Sequence, residues 1–217
     1  MTTSNNLADE QSRLAALASY EIVDTPAEPD FDALAKLAAF VLDVPMAAIS
    51  IVDADRQWFK ARHGLDALET PRDLSFSAHV VALDQPVVVP DVLLDGRFAD
   101  NPLVQGPSNV RFYAGHPLRT PDGFVLGALC AFDRRARQIE ARHLEMLQIL
   151  ANETMAQLEL RRQGRLLAEE QTRLRTMLEA APDAIIALDD QHRAKKISDE
   201  AYQKRRAELK NILKGMM

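Results

Sequence analysis

The chain has 217 residues, of which 47% are apolar, so it can bury the core of one medium domain and carry appendages. Its formal net charge of −6 argues against a general nucleic-acid-binding surface. A single cysteine excludes an internal disulfide and a metal site built from several thiolates. The polar, acidic N-terminus lacks the pattern of a secretion signal, and no apolar run approaches the roughly 20 residues that span a bilayer. We therefore expect a cytoplasmic protein in a reducing compartment.

The N-terminal stretch predicts a flexible tail followed by two helices. Residues 1–6 are polar and form the predicted tail. Residues 7–19 have the amphipathic spacing of a helix, and residues 31–42 carry apolar side chains at every third or fourth position. Prolines within residues 24–29 separate the two helices. Asp30 is placed to cap the second helix.

A strand, a turn and a returning strand follow. Met46–Val52 is a run of small apolar residues with one serine, which suits a strand covered on both faces. The charged residues 53–56 predict a turn, and residues 57–62 predict the returning strand. Trp58 and Phe59 are adjacent, so their side chains should point to opposite faces of the sheet.

Residues 63–109 have no sustained period and predict an irregular segment with short elements. Ser75 is a capping residue at the start of a short helix. Prolines bracket residues 87–89, which predicts a short strand at the edge of the sheet. Residues 91–104 are rich in cap and turn residues, so we expect a long loop with short helical turns, and such loops are often functional.

A second hairpin is predicted by residues 110–118 and 124–132, two apolar runs on either side of residues 119–123. Pro121 presets its own φ, and Gly123 can take a positive φ, so this segment predicts a tight turn. The proline lies in the loop, where its missing N–H removes no hydrogen bond of the sheet.

A long helix is predicted from residue 136 to residue 181, because this stretch has one glycine and no proline. Two rows of residues recur in it at every seventh position and form a predicted seam. One row is apolar, and the other is interrupted by glutamines and the glycine. Such a seam is typical of a weak coiled coil that tolerates changes of register. We expect two copies of the chain to pair along this seam, through Leu150, Leu160, Leu167, Leu174 and Leu178. The alternative is a helix that lies back along its own domain.

The C-terminal stretch predicts a break and a second, basic helix. Pro182 should stop the long helix at residues 180–183, and residues 184–188 could begin a strand. Residues 198–214 predict an amphipathic helix that begins at Ser198 and is rich in lysine and arginine. Such a helix could contact a partner or an anionic surface, and the alternative is a solvated helix end.

Several segments resemble, in order and spacing, the signalling GAF domains of bacterial sensor proteins: ISIVDADRQWFKARHGL, ETPRDLSFSAHVV, VVVPDVLLDGRFADNPLV and RFYAGHPLRTPDGFVLGALCAFDRRAR. The resemblance covers residues 10–160, and such domains stand upstream of histidine kinases, diguanylate cyclases and PAS domains. It implies an α+β fold with a central antiparallel sheet, helices on one side and a ligand cavity roofed by the irregular segment. It also implies that the first and last helices pack together and often form the dimer interface.

The resemblance suggests a division of the chain into domains. Residues 7–160 form the predicted GAF domain, and residues 161–181 the predicted coiled-coil signalling helix. Residues 178–190 resemble the opening of a PAS domain, but the remainder of such a domain is absent. Residues 182–217 are therefore predicted to be a PAS-like fragment with the basic C-terminal helix.

The same resemblance indicates which residues line the ligand cavity. A small-molecule site needs apolar walls and a few convergent polar groups. Arg111 could hold a carboxylate or phosphate through two parallel hydrogen bonds. The alternative is an internal Arg111–Asp91 salt bridge that shapes the loop. The candidate ligand-binding residues are Phe76, His79, Asp91, Phe98, Arg111 and Tyr113.

No motif for catalysis, a metal or a cofactor is found in the sequence. Members of the family attach bilins through cysteine, and another subgroup reduces free methionine sulfoxide with several cysteines, but Cys130 is alone in a strand and fits a small core residue better. The spacing of His63, His79, Asp91 and His116 matches no metal-binding motif. We therefore expect no catalytic residue, no metal site and no cofactor.

Three functions remain open from the sequence. The first is a non-catalytic sensory module that binds a small molecule or a partner and transmits a signal through the dimeric helix to an output module. The second is a structural dimerisation module without a ligand. The third is a redox or bilin-linked protein that uses Cys130.

Overall fold

The structure, a computed structural model, describes residues 2–193 and 197–215, with side chains for residues 9–177, 189–191, 197–208, 210 and 211. It divides into two compact units, Met1–Arg162 and Gln163–Met217. The first unit contains the sheet, and the long helix Ala141–Arg193 contributes residues to both units.

The first unit is built around one six-stranded sheet in which every pair of neighbouring strands is antiparallel. The strand order is β3-β2-β1-β6-β5-β4, so the two hairpins lie at the centre and the shortest strands at the edges. The predicted α+β fold and the predicted edge strand are confirmed. The strands are β1 Met46–Val52, β2 Arg56–His63, β3 Glu69–Pro71, β4 Val87–Val89, β5 Phe112–Arg119 and β6 Val125–Asp133.

Besides the sheet, residues 2–193 and 197–215 form six α-helices and two short 3₁₀ turns. The 3₁₀ turns, Arg72–Leu74 and Val92–Leu94, lie in the irregular segment between the hairpins. The helices are α1 Thr2–Tyr20, α2 Pro29–Val41, α3 Phe76–Leu83, α4 Pro102–Gln105, α5 Ala141–Arg193 and α6 Asp199–Gly215.

The turn of the second hairpin forms as the sequence predicts. Thr120 N–H donates to the carbonyl of Phe124 at 2.8 Å, and Gly123 N–H donates to the carbonyl of Thr120 at 2.9 Å. Gly123 has a φ of 93°, which glycine adopts without steric cost. These bonds set the register of β5 and β6, the two strands that carry much of the buried surface.

The two faces of the sheet carry separate apolar clusters. The helix-face cluster contains residues of α1, α2 and α5 together with Trp58 and Ala61 of β2. The roof-face cluster contains Phe59 of β2, residues of α3 and apolar side chains of residues 91–110. We call residues 91–109 the roof segment. Trp58 and Phe59 therefore lie on opposite faces, as predicted.

Two predictions for the N-terminal helices are wrong. Helix α1 begins at Thr2, so residues 2–6, predicted as a tail, are helical; extending a helix that tertiary packing already holds costs less than starting one. Asp30 does not cap α2, because the helix begins earlier, at Pro29. Proline suits the first helical position, since its missing N–H would have no partner there. The N-cap is Glu28, whose side chain makes no capping hydrogen bond.

The bounds of the long helix also differ from the prediction. Helix α5 begins at Ala141 rather than at residue 136, and it continues through Pro182 to Arg193, so residues 184–188 are helical and not a strand. A proline removes one hydrogen bond and kinks a helix at a cost of about 3 kcal/mol, which the strong helix formers on both sides can offset. Helix α6 follows at Asp199, where the Ser198 hydroxyl accepts a hydrogen bond from Ala201 N–H at 3.3 Å, as predicted.

Helix α6 packs on the end of α5 within the second unit. The Tyr202 hydroxyl donates to Asp189 at 2.6 Å, and Arg206 lies 3.9 Å from the same carboxylate. The apolar side of the predicted amphipathic helix consists of Tyr202, Leu209, Ile212 and Leu213, and the last three side chains lie outside the described part of the structure. Across residues 2–193 and 197–215, none of the helices combines the length and the apolar character that a membrane crossing needs.

Candidate functional site

Four aromatic rings fill the roof face of the sheet. Phe76 of α3 lies 4.8 Å from Phe98 of the roof segment and 5.1 Å from Tyr113 of β5, measured between ring centroids. Tyr113 lies 5.3 Å from Phe132 of β6. All four side chains are buried. Three of the predicted ligand-binding residues are thus brought together, in a packed cluster.

Local sequence explains how α3 presents its ring to this cluster. The Ser75 hydroxyl accepts a hydrogen bond from Ala78 N–H at 3.0 Å, so Ser75 is the N-cap and Phe76 is the first residue of the helix. Asp84 ends the helix in the left-handed conformation with a φ of 55°. Helix α3 is therefore a short rigid element fixed at both ends.

Three buried polar side chains lie close together next to the ring cluster. Ser77 Oγ lies 3.4 Å from Tyr113 Oη and 3.4 Å from Cys130 Sγ, and all three side chains are fully buried. Ser50 Oγ approaches the same thiol without forming a hydrogen bond of good geometry. Burial raises the pKa of the Cys130 thiol to about 12, so this cysteine is not a nucleophile at neutral pH.

Gly115 makes room for the hydroxyl end of Tyr113. A Cβ atom at position 115 would lie 2.7 Å from Tyr113 Cζ, closer still to the hydroxyl oxygen, and 3.0 Å from a methyl of Val80. The ring of Tyr113 therefore lies across its own strand, where only glycine leaves the space. Burial also raises the pKa of Tyr113, so the hydroxyl stays neutral.

His79 closes the cluster at its edge. Its ring packs edge-on against Phe98 at 4.6 Å, and it is half-buried. Burial lowers the pKa of His79, the positive charge of Arg97 lowers it further, and Asp95 partly opposes both. Arg97 also lies over the Phe98 ring at 5.0 Å and pairs with Asp95 at 2.6 Å. Phe98 is thus contacted by His79 of α3 and by Arg97 of its own segment.

Asp91 and Arg111 pair with each other at the rim of the roof segment. The Arg111 guanidinium donates to both carboxylate oxygens of Asp91, at 2.9 and 2.6 Å, and these hydrogen bonds lower the pKa of Asp91. Val92 N–H donates to the carbonyl of Arg111 at 2.8 Å. The internal salt bridge, which was the alternative for Arg111, is therefore present. It joins the start of the roof segment to the start of β5.

An open groove of about 710 Å³ runs beside this pair. Its lining includes Asp91, the exposed Leu94 and Arg137. Arg137 N–H donates to the carbonyl of Pro90 at 2.9 Å, and its side chain pairs with the buried Asp133. The predicted site residues therefore fall into two groups, the aromatic cluster and this rim.

The helix face carries an ion-pair network that the sequence did not predict. Lys60 of β2, whose side chain is fully buried, donates to the carboxylate of Glu28 at 2.6 Å. Arg161 of α5 donates to the same carboxylate oxygen at 2.9 Å. The sequence holds no signal for this pairing, because its members lie 32 and 133 positions apart.

Tyr20 joins the end of α1 to the same part of α5. Its hydroxyl donates to the carboxylate of Glu159, and the guanidinium of Arg162 lies over its ring at 5.0 Å. Burial and the hydrogen bond with Glu159 raise the pKa of Tyr20. The end of α1 is therefore joined to α5 through the side chain of Tyr20.

The predicted dimer residues differ in their exposure. Leu150 is 8% exposed and belongs to the helix-face cluster, so it is part of the core of its own chain. Leu160, Leu167 and Leu174 are 64%, 65% and 37% exposed. The side chain of Leu178 lies outside the described residues. Leu150 was predicted in the seam because a repeat of seven does not distinguish a domain core from a dimer contact.

The candidate metal ligands are not brought together. Within residues 2–193 and 197–215, His63, His79, Asp91 and His116 form no group that could hold a metal ion. His116 lies in β5, where burial lowers its pKa.

Comparison with known proteins relates this chain to one phosphodiesterase sequence. No family model matches the chain. A cyclic di-GMP phosphodiesterase of Pseudomonas aeruginosa is 41% identical over 151 residues. These residues are 69% of this chain but only 26% of that protein, so the chain spans a minor part of the length of its relative.

Solved structures give the fold. The GAF domain of a phosphoenolpyruvate-protein phosphotransferase from Coxiella burnetii covers 74% of this chain and 99% of its own, with a TM-score of 0.55 and 16% identity. A free methionine-R-sulfoxide reductase from Neisseria meningitidis covers 67% of this chain and 87% of its own, with a TM-score of 0.53 and 19% identity. The PixJ GAF domain from Thermosynechococcus elongatus covers 76% of this chain and 93% of its own, with a TM-score of 0.50 and 20% identity. The antiparallel sheet and flanking helices of this chain are a GAF-domain fold.

Proposed function

We propose that this chain is a non-catalytic, cytoplasmic sensory module whose input site is the roof-face cluster and whose output element is α5. The observation that carries the proposal is the position of Phe98. This aromatic ring belongs to an irregular loop, yet it is 1% exposed and packs between Phe76 and His79. A loop that inserts its own ring into a core can exchange that ring for a small molecule at little cost to the sheet.

Apart from the buried side chains of Val92, Phe98 and Val104, few hydrogen bonds attach the roof segment to the rest of the domain. Asn101 donates from its side-chain amide to the carbonyl of Leu74 at 2.9 Å, and Val110 N–H donates to the carbonyl of Leu103 at 3.1 Å. The Asp91–Arg111 pair holds its other end. The segment contains short turns rather than long helices, so it has less hydrogen-bonded structure to lose when it moves.

The output is proposed to be a dimeric coiled coil formed by α5. Leu160, Leu167 and Leu174 are spaced by seven residues and are exposed, which an isolated helix in water does not favour. Gln157, Gly164 and Gln171 lie in the neighbouring row, so the seam is only partly apolar. A polar seam lowers the barrier to a change of register or pitch, which is the signal proposed to reach an output module.

Enzyme activity is the competing proposal that the comparisons raise. A relative is named a phosphodiesterase, and a structural neighbour is named a methionine sulfoxide reductase. This chain spans 26% of the first protein, and its one cysteine has a raised pKa in the core. We therefore propose that the chain has a regulatory role and is not itself the catalyst.

A structural dimerisation module without a ligand is the second candidate function. It is favoured by the dense packing of the roof-face rings and by the Arg111–Asp91 pair, which leaves Arg111 engaged within the chain. The substitution Arg111→Ala separates the two proposals. A sensor should lose its response to a ligand while it keeps its fold, whereas a scaffold should only lose stability.

Native mass spectrometry of the full chain tests the proposed function. We expect a homodimer, and in a sensor purified from cells a retained small molecule or a shift on titration with metabolite mixtures. Leu167→Glu should convert the dimer to monomer, whereas Leu68→Glu, at a leucine that is 62% exposed on the first unit, should leave it intact. A monomeric native chain would contradict the output mechanism.

A further inference from the structure

The proposed input and output elements lie on opposite faces of the sheet. Phe76, Phe98 and Tyr113 belong to the roof-face cluster, whereas Leu147 and Leu158 of α5 belong to the helix-face cluster. A change at the rings must therefore cross the sheet before it reaches α5.

Strand β2 is irregular at a position where a change on the roof face can reach the helix face. Ile49 of β1 pairs with Ala61, and the next residue of β1 pairs with Phe59, so Lys60 has no partner on β1. This is a β-bulge, at which one strand carries an extra residue and bends. Phe59 belongs to the roof-face cluster, while the residue after it, Lys60, turns to the helix face.

Lys60 is held on the helix face by several contacts. Its ammonium group donates to Glu28 at 2.6 Å, to the Thr25 hydroxyl at 2.9 Å and to the carbonyl of Pro26 at 2.8 Å. It also lies 5.2 Å from the centroid of the Phe31 ring. A buried ammonium that has one carboxylate partner must follow that partner, because separation leaves an uncompensated charge.

Glu28 transfers this constraint to α5. Its carboxylate accepts from Lys60 and from Arg161 through the same oxygen atom. Burial opposes ionisation of Glu28, but the two hydrogen bonds outweigh it and lower the pKa of the carboxyl group. Arg161 also donates to the carbonyls of Tyr20 and Glu21, at 3.2 and 3.3 Å. Lys60 and Arg161 therefore share the carboxylate of Glu28. Displacement of either cation changes the electrostatic attraction between Glu28 and the other cation.

We propose that Lys60, Glu28 and Arg161 are the route by which a change at the roof-face cluster reaches α5. This inference rests on the proposed sensory function and specifies its mechanism. Movement of Phe59 at the bulge shifts Lys60, and Lys60 redistributes the hydrogen bonds of Glu28 between its two cations. Arg161 then loosens or tightens the attachment of α5 to Glu28 and to the end of α1.

Hydrogen exchange of the native 217-residue chain tests the route. The substitution Phe98→Leu perturbs the roof-face cluster, and Phe59→Leu is a second perturbation in case the first variant folds poorly. We expect either change to speed exchange of the amides of residues 157–162 at least threefold. In a Lys60→Met background, which keeps side-chain length but removes the charge, the same change should alter exchange by less than 1.5-fold.

The control is Lys36→Met, which removes a lysine that is exposed on α2. In that background the roof-face change should still speed exchange threefold. A response that survives Lys60→Met unchanged overturns the route but leaves the proposed sensory function intact. The absence of any response at residues 157–162 in the native background contradicts transmission from the sheet to α5, and the route fails with it.

Discussion

The two faces of the sheet are stabilised by different kinds of contact. The roof face is covered by one short helix and a loop, and its interior is aromatic with a small neutral polar group. The helix face is covered by three helices whose ends are joined by charged groups, such as Glu28 with Lys60 and Arg161. One face therefore depends on ring packing and the other on ion pairs in addition to packing.

This difference has a consequence for motion. Ring packing holds its elements at short range, so a loop that withdraws one ring loses its contacts locally. A buried ion pair couples elements more tightly, because removal of one charge leaves the other unpaired. We infer that the roof face is the face able to change, and that the helix face is the face able to report the change.

The largest effect is expected for Phe76→Ala, which removes the central ring of the roof-face cluster. The loss of burial and the residual cavity should lower the free energy of unfolding by about 3–5 kcal/mol, as measured by urea denaturation. Phe40→Ala, at a ring that is 81% exposed on α2, should change it by less than about 0.5 kcal/mol. Equal effects of the two substitutions would contradict the described packing.

On the helix face we expect Glu28→Ala to lower the free energy of unfolding by about 2 kcal/mol. The buried Lys60 ammonium loses its carboxylate, although the partial exposure of Glu28 moderates the cost. In a Lys60→Met background the same substitution should cost about 0.5 kcal/mol or less, because only the partly exposed Arg161 then loses its carboxylate partner. Additive losses in the double variant would show that the pair is not coupled.

Gly115→Ala should cost about 1–3 kcal/mol, because the added methyl collides with the hydroxyl end of Tyr113. Thermal unfolding followed by circular dichroism measures the effect. The cost should fall in a Tyr113→Phe background, where the hydroxyl oxygen is absent. If Gly115→Ala is equally costly in both backgrounds, the collision with this hydroxyl is not its cause.

The smallest effect concerns Glu10 of α1, which accepts hydrogen bonds from Arg13 and Arg72. The bond from Arg13, opposed by partial burial and supported by Arg72, lowers the pKa of Glu10 from 4.5 to about 2. A carboxyl whose pKa falls on folding stabilises the protein above pH 4.5 and loses that contribution as the pH falls towards 2.

Solvent screens this partly exposed group, so Glu10→Gln should cost about 1 kcal/mol at pH 7. Urea denaturation at pH 7 and pH 3 should show a smaller difference between variant and native protein at the lower pH. A difference that is constant with pH would mean that Glu10 acts through packing.

Most of the sheet could be predicted because its signals are local. Alternating and continuous apolar runs, the turn at Gly123 and the cap at Ser75 each depend on a few neighbouring residues. The opposite orientations of Trp58 and Phe59 follow from adjacency alone. The clustering of Phe76, Phe98 and Tyr113 came from the family resemblance rather than from the pattern of the sequence.

The remaining features depend on tertiary contacts. Pro182 removes one hydrogen bond of the helix. The proline by itself does not show whether the neighbouring residues can offset that loss and continue the helix. Leu150 and Leu160 have the same chemistry and lie in the two rows of one predicted seam, yet one is in the core and the other is exposed. The bulge at Lys60 reflects a mismatch between two strands, which neither strand reveals by itself.

The distance between labelled helices in solution tests the central claim most directly. A nitroxide on Thr172→Cys would lie on an exposed position outside the Leu160, Leu167 and Leu174 row, and the buried Cys130 should not react. Double electron–electron resonance should give one distance between the nitroxides of the two copies in the native chain. In the Phe98→Leu variant this distance should shift. The absence of any signal between copies, or one distance unchanged by Phe98→Leu, would contradict the account.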